Sequence, residues 1–243
     1  MLTRKYDLFV EIYNENLPIT EEDTKIFSKY KKIIFNNKFN QPIDGKIPFG
    51  ITHIIFECHF EIETSYIDNY PNNEFVENFE IAYPPHFNQT VDNLPRTITH
   101  LIIGPKYTAD SVSYNPNKFN QPINNLPDSL IELYLGEHFN YPIDMLPANL
   151  KYLYVGESFN KSLKNLPSNL KKLVVNHQSI DGVPDSIEEL KIENNLYKYP
   201  IKKLPRNLKI LEIFGNVIDI TDKIRGMSPE EFNNYIHNFQ PRE

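Results

Sequence analysis

Cysteine is nearly absent from this chain of 243 residues. Cys58 stands alone, which excludes an intramolecular disulfide framework and any two- or four-cysteine zinc site. Glycine is scarce too, at eight residues, leaving little material for the Gly-rich loops that cradle phosphates. No run of eighteen apolar residues occurs, and Met1-Leu2-Thr3-Arg4-Lys5-Tyr6-Asp7 carries no apolar signal core. These absences predict no signal peptide and no membrane contact. With the lone cysteine they predict a cytoplasmic location. A basic face is missing as well. The 25 Lys+Arg against 32 Asp+Glu leave a net charge of −7, which argues against nucleic acid as a partner. H-E-x-x-H, G-x-S-x-G and P-loop signatures are all lacking, so the chain reads as a non-enzyme without cofactor or metal.

What is abundant is asparagine, 29 residues or about 12% of the chain, together with 19 prolines. They recur at fixed offsets. Between Phe119 and Gln178 the chain reads FNQPINNLPDSLIELYLGEH, FNYPIDMLPANLKYLYVGES, FNKSLKNLPSNLKKLVVNHQ, three copies at a period of 20 residues. The template is L-x-x-L-x-L-G-x-x-F-N-x-P-I-x-x-L-P. Its second Leu position extends to nine anchors: Ile33, Ile54, Phe79, Leu101, Leu133, Leu153, Leu173, Leu190 and Leu211. Each L-x-x-L-x-L run ends on period two and is rich in Ile, Leu and Val, predicting one short parallel strand per coil. The recurring prolines belong in extended or 3₁₀ return segments, since they suppress helix and cannot donate to a ladder. The predicted fold is a mainly β repeat solenoid of about nine coils over 31–215. Small caps close it at 1–30 and 216–243.

The Phe of each F-N pair (Phe39, Phe87, Phe119, Phe139, Phe159) is predicted to stack inward as a spine. The Asn beside it (Asn40, Asn88, Asn120, Asn140, Asn160) has the donors and acceptor to satisfy backbone groups between coils. Two of them open glycosylation sequons, Asn88-Gln-Thr90 and Asn160-Lys-Ser162, which read as accidental if the amides are buried. The strings F-N-Q-P-I at Phe39–Ile43 and Phe119–Ile123, and F-N-Y-P-I at Tyr141 and its neighbours, resemble the FNIP repeat family. That family is a branch of leucine-rich-repeat (LRR) proteins abundant in social amoebae and in giant viruses of protists. The resemblance implies an LRR-like binding scaffold with no catalytic residues to carry over. Some members are ubiquitin-ligase substrate receptors because an F-box precedes their repeats; about 30 residues precede the first coil here, too few for that module.

Departures from the template mark the other candidates. The spacing from Leu101 to Leu133 holds a 12-residue insertion near 105–116, a place for a binding or enzymatic loop. At the front, Tyr6–Tyr13 alternates like one strand, and Thr20-Glu21-Glu22-Asp23 reads as a capping box opening a helix. At the back, Ser228-Pro229-Glu230-Glu231 opens a helix over about 229–239, with Phe232, Tyr235, Ile236 and Phe239 on its apolar side. Caps held by one face also allow a homodimer by exchange.

The leading expectation is a scaffold binding another protein on the concave face of the strands. One column there runs Lys32, His53, Asn78, His100, Glu132, Tyr152, Lys172, Glu189 and Ile210. The next runs Ile34, Ile55, Glu80, Ile102, Tyr134, Tyr154, Val174, Lys191 and Glu212. The aromatic patch of His100, Tyr134, Tyr152 and Tyr154 is expected to be the contact, with His53, Ile102, Glu132 and Lys172 around it. In this count Asn78 separates His53 from His100 by about 10 Å, too far for one metal ion.

Overall fold

The computed structural model describes residues 16–56, 86–104 and 117–238 in full, and the backbone of strands Leu2–Tyr6, Phe9–Tyr13, His59–Ser65 and Glu77–Tyr83. In chain order the elements are β1 (Leu2–Tyr6), β2 (Phe9–Tyr13), α1 (Glu21–Phe27), β3 (Lys32–Phe35), β4 (His53–Phe56), β5 (His59–Ser65) and β6 (Glu77–Tyr83). There follow β7 (His100–Ile103), β8 (Glu132–Tyr134), β9 (Tyr152–Tyr154), β10 (Lys172–Val175), β11 (Glu189–Ile192), β12 (Ile210–Ile213), β13 (Asn216–Asp219), α2 (Asp222–Arg225) and α3 (Pro229–His237).

One eleven-stranded sheet runs β1-β2-β3-β4-β7-β8-β9-β10-β11-β12-β13. Its strands are parallel from β2 to β12, with an antiparallel strand at each edge. From β3 to β12 the chain makes about seven turns of a parallel β-solenoid. The sequence expectation of nine coils is corrected at one place. Phe79 lies on β6, which pairs antiparallel with β5 in a separate two-stranded sheet, and β4 pairs directly with β7 through Ile54↔Leu101. The reason is local. His59–Ser65 and Glu77–Tyr83 both alternate with period two and can pair with each other, while the N-F-E-I string imitates the strand template. Asn78 and Glu80 therefore leave the concave columns. The 105–116 insertion and Phe239 lie outside the described residues.

Each coil closes on one repeated device. The carbonyl just before a strand accepts two N–H groups from the next coil: Lys31 from Thr52 and His53, Thr52 from Thr99 and His100, Ile131 from Lys151 and Tyr152, at 2.8–3.1 Å. In the return segment the carbonyls of Pro95, Pro127, Pro147, Pro167 and Pro205 each accept from the N–H three residues on, at 3.0–3.1 Å. The return is thus a series of turns that proline's fixed φ favours.

Phe87, Phe119, Phe139 and Phe159 stack at centroid distances of 6.0–6.1 Å with interplanar angles of 7–10°, and Phe39 joins Phe87 at 6.3 Å. Phe35 and Phe56, at the ends of β3 and β4, thicken the spine, and all these rings are buried. Beside them runs a ladder of asparagines. The N–H of Asn88 donates to Oδ1 of Asn40, Asn120 to Asn88, Asn140 to Asn120 and Asn160 to Asn140, each at 2.9–3.0 Å. The side chains are half-buried or exposed, which corrects the expectation of buried amides. The side-chain oxygen of Asn40, Asn88, Asn120 and Asn140 is consumed by the next coil. The Gly of the template answers to close approach: Gly136 has φ of +69°, and a Cβ there would sit 1.6 Å from Nδ2 of the fully buried Asn117.

The ends are covered as a solenoid requires. The single strand expected over 6–13 is instead two strands, β1 and β2, which extend the sheet ahead of β3. α1 opens on a capping box of Thr20 and Asp23 and buries Phe27. α3 opens on a box of Ser228 and Glu231 and buries Phe232 and Ile236. It is pinned to the last coil by Asn233, whose amide donates to and accepts from the backbone of Ile201 at 2.9 Å. The hairpin partner β13 and the short α2 carry no strong sequence signal and were not expected.

Phe139 lies in the middle of the most regular stretch with a ring on either side. Phe139→Ala should lose about 3–5 kcal/mol through the lost transfer energy and the cavity left behind. Urea denaturation checks this, and a loss under about 1 kcal/mol would show that the coil collapses around the gap.

Candidate interaction surface

Strand alternation sends the first and third residue of each parallel strand to the face away from the spine. Two columns result, and the structure gives them opposite characters. The outer column pairs His53↔His100↔Glu132↔Tyr152↔Lys172↔Glu189↔Ile210 in register, and its members are half-buried or exposed. With Phe79 removed from the coil count, His53 and His100 are neighbours. Their rings stack at 4.0 Å with an interplanar angle of 7°, which corrects the separation of about 10 Å expected from the sequence. Thr52 and Thr99 hold them in parallel, each hydroxyl 2.8 Å from Nδ1 of the following histidine. Nε2 of His100 lies 3.6 Å from a Glu132 oxygen. Further along, Lys172 pairs with Glu189 at 2.8 Å and sits 5.9 Å from the Tyr152 ring centroid. Parallel rings do not converge on one point. Among the described residues, no group of three or more His, Cys, Asp or Glu is placed to hold a metal ion.

The inner column corrects a second expectation. Ile102, Tyr134, Tyr154 and Val174 are only 3–5% exposed and form their own apolar cluster, with Ile55 and Tyr152 packed against it. Tyr134 and Tyr154 stack at 3.9 Å with an interplanar angle of 5°. They are ladder-stacked structural residues, not an open aromatic patch. Rings on this face stack at 3.9–4.0 Å and those of the regular spine at 6.0–6.3 Å, so the coils fan apart away from the strands and the strands line the concave side.

Sequence reading missed what holds Tyr154. Its phenol contacts Oε1 of Glu137 and lies 3.0 Å from Oε2 of Glu193. Glu137 is buried, and its other oxygen accepts the N–H of Glu157 at 2.8 Å. The phenol is the donor in both contacts, so its single hydrogen is shared between two carboxylates. Burial pushes the Glu193 carboxyl above its ordinary range, and the Glu137 charge adds to this, against the pull of Tyr154 and Lys191. Burial likewise raises the phenols of Tyr134 and Tyr154, and lifts Tyr152 to about 12. Neither Glu137, at a template x position, nor Glu193, at the Gly position of its coil, gave a sign of this, because the contacts span 17 and 39 residues. On the exposed flank the opposite occurs. Lys171 and Lys209 each bond Glu188, at 2.7 and 2.6 Å, and hold its carboxyl down at about 2.

A parallel β-solenoid with one short strand per coil, an inward aromatic spine and a concave sheet defines an LRR-like repeat protein. Part of the solenoid matches a known family: the family model FNIP Repeat matches residues 119–158 and 142–177. Among similar solved structures is that of the giant-virus protein CroV588, described as a novel circular LRR protein structure. It is 27% identical, with a TM-score of 0.42, over 87% of this chain and 38% of that one. The chain therefore spans well under half the length of that neighbour. No curated protein matches the sequence. No described helix is long and apolar enough to cross a membrane.

The raised Glu193 carboxyl gives a pH signature. The folded state holds this proton more tightly than the unfolded chain, so its contribution is complete below the unfolded value near 4.5 and declines as pH rises through the folded one. Glu193→Gln, whose amide donates to the phenol at every pH, should flatten that decline. Urea midpoints measured from pH 4.5 upward on both proteins check it; parallel curves would rule out the shared-proton arrangement.

Proposed function

We propose that this LRR-like solenoid is a non-enzymatic scaffold that binds another protein on its concave face, through the outer column of His53, His100, Glu132, Tyr152 and Lys172. One observation carries the reading: these side chains are accessible and already ordered. They stand on strands hydrogen-bonded on both sides, above a buried apolar layer, and are held by ring stacking and by the Lys172–Glu189 pair. Binding through them therefore gives up little side-chain entropy. The mix of imidazole, carboxylate, phenol and ammonium along one line suits a polar protein surface with complementary charges better than an apolar ligand.

The test is affinity purification from the native cell with mass spectrometry, comparing the wild type with a Tyr152→Ser, Lys172→Ala double variant. Loss of both side chains should weaken the retained partner by on the order of 2–4 kcal/mol, as removal of central interface anchors does. The thermal midpoint should move little, because the buried Leu153 and Leu173 of the same strands are untouched. Equal capture by both proteins would remove the concave face as the binding surface.

A further inference from the structure

The asparagine ladder ends before the solenoid does. Asn40, Asn88, Asn120 and Asn140 each offer Oδ1 to the backbone N–H of the next F-N pair. Asn160 donates its own N–H to Asn140, but among the described residues nothing donates to its Oδ1. The cause is in the sequence. The coil from Leu173 to Leu190 is 17 residues long instead of 20, and Gln178-Ser179-Ile180 stands where Phe-Asn-x-Pro-Ile would be. Gln178 takes over part of the missing pair. It is buried, its amide donates to the Phe159 carbonyl, and its oxygen accepts the N–H of Asn176 at 3.0 Å. Ile180, also buried, fills the apolar position below. Among the described residues, none takes the place of the asparagine.

That place is a groove of about 450 Å³. Asn160, Lys161, Ser162 and Lys164 line one side and Ser179 the other, and Tyr199, 42% exposed, also borders it. We propose that the groove binds an extended peptide segment of another protein, which adds the missing rung by donating a backbone N–H to Asn160 Oδ1. The chain itself shows what the best segment looks like. Gln89 and Gln121, each following a ladder asparagine, send Nε2 back to the preceding Asn Oδ1 at 3.1 Å in both cases. An Asn-Gln pair therefore supplies a main-chain and a side-chain donor to one acceptor, and a proline after it keeps the segment extended. The segment carries no Phe, because the buried Gln178 and Ile180 already stand in the coil after Phe159. This is edge addition in the manner of a strand joining a sheet, with side-chain oxygens as the template. The groove lies on the flank of the F-N pairs and not on the concave strands, so it stands or falls independently of the concave-face reading.

The probe is the peptide acetyl-Asn-Gln-Pro-Ile-Asn-Asn-amide, the sequence of residues 120–125, titrated into the full chain and followed by amide chemical shifts. Saturable shifts should center on residues 160–164 and on Ser179. Asn160→Ala, which keeps the backbone N–H to Asn140, should weaken binding about fivefold to tenfold, the worth of one or two hydrogen bonds. Asn160→Asp retains the acceptor and should bind within about threefold of the wild type. A peptide methylated on the first asparagine nitrogen should lose as much as the Ala variant. No saturable shift at millimolar peptide, shifts centred elsewhere, or equal affinity for the methylated peptide would overturn the proposal.

Discussion

An oxygen on one coil that accepts the backbone of the next is the constraint on which this structure rests. A short strand satisfies only three or four residues of a 20-residue coil, and the return segments have no sheet to join. The carbonyl before each strand, accepting two N–H groups, anchors one side of the coil. The asparagine ladder anchors the other. Between them the phenylalanine spine fills the interior, and because both anchors recur at the same place, the rings stack nearly parallel. Backbone polar groups left unpaired in such a thin molecule would each carry a desolvation cost, so repetition of the acceptor is what permits repetition of the fold.

The same regularity divides the concave face. A column of identical pleat positions brings like side chains within contact distance, and each column takes the character its residues allow. The inner one collects Ile102, Tyr134, Tyr154 and Val174 into a buried layer, and the phenol of Tyr154 draws Glu137 and Glu193 toward it. The outer one collects imidazole, carboxylate, phenol and ammonium groups that neutralise or stack on one another and stay in reach of solvent. Rigidity and accessibility thus come from adjacent positions on the same strands.

Irregularity is confined to a few places, and each has a definite structural effect. The segment after β4 leaves the coil, forms the β5–β6 pair and returns at Phe87 without disturbing the β4–β7 register. The 17-residue coil ends the asparagine ladder but keeps the sheet, because Leu190 still pairs with Leu173. The sheet tolerates changes in coil length since its hydrogen bonds involve only the strands. The ladder does not, since it needs a particular side chain at a particular height.

The sequence by itself determined the period, the strand in each coil, the inward phenylalanines, the turn-forming prolines and the capping boxes at Thr20 and Ser228. Each follows from chemistry within one 20-residue unit or between a unit and its copy. The tertiary structure alone decided which strands are neighbours, and so whether His53 touches His100. A hairpin and a coil share the same alternation, and only pairing partners separate them. It alone decided that Tyr134 and Tyr154 are buried while Tyr152 stays accessible, since outward-facing positions two residues apart on one strand look alike in a pattern. And it alone placed Glu137 and Glu193 on one phenol, because curvature and coil height, not spacing along the chain, bring those carboxylates together.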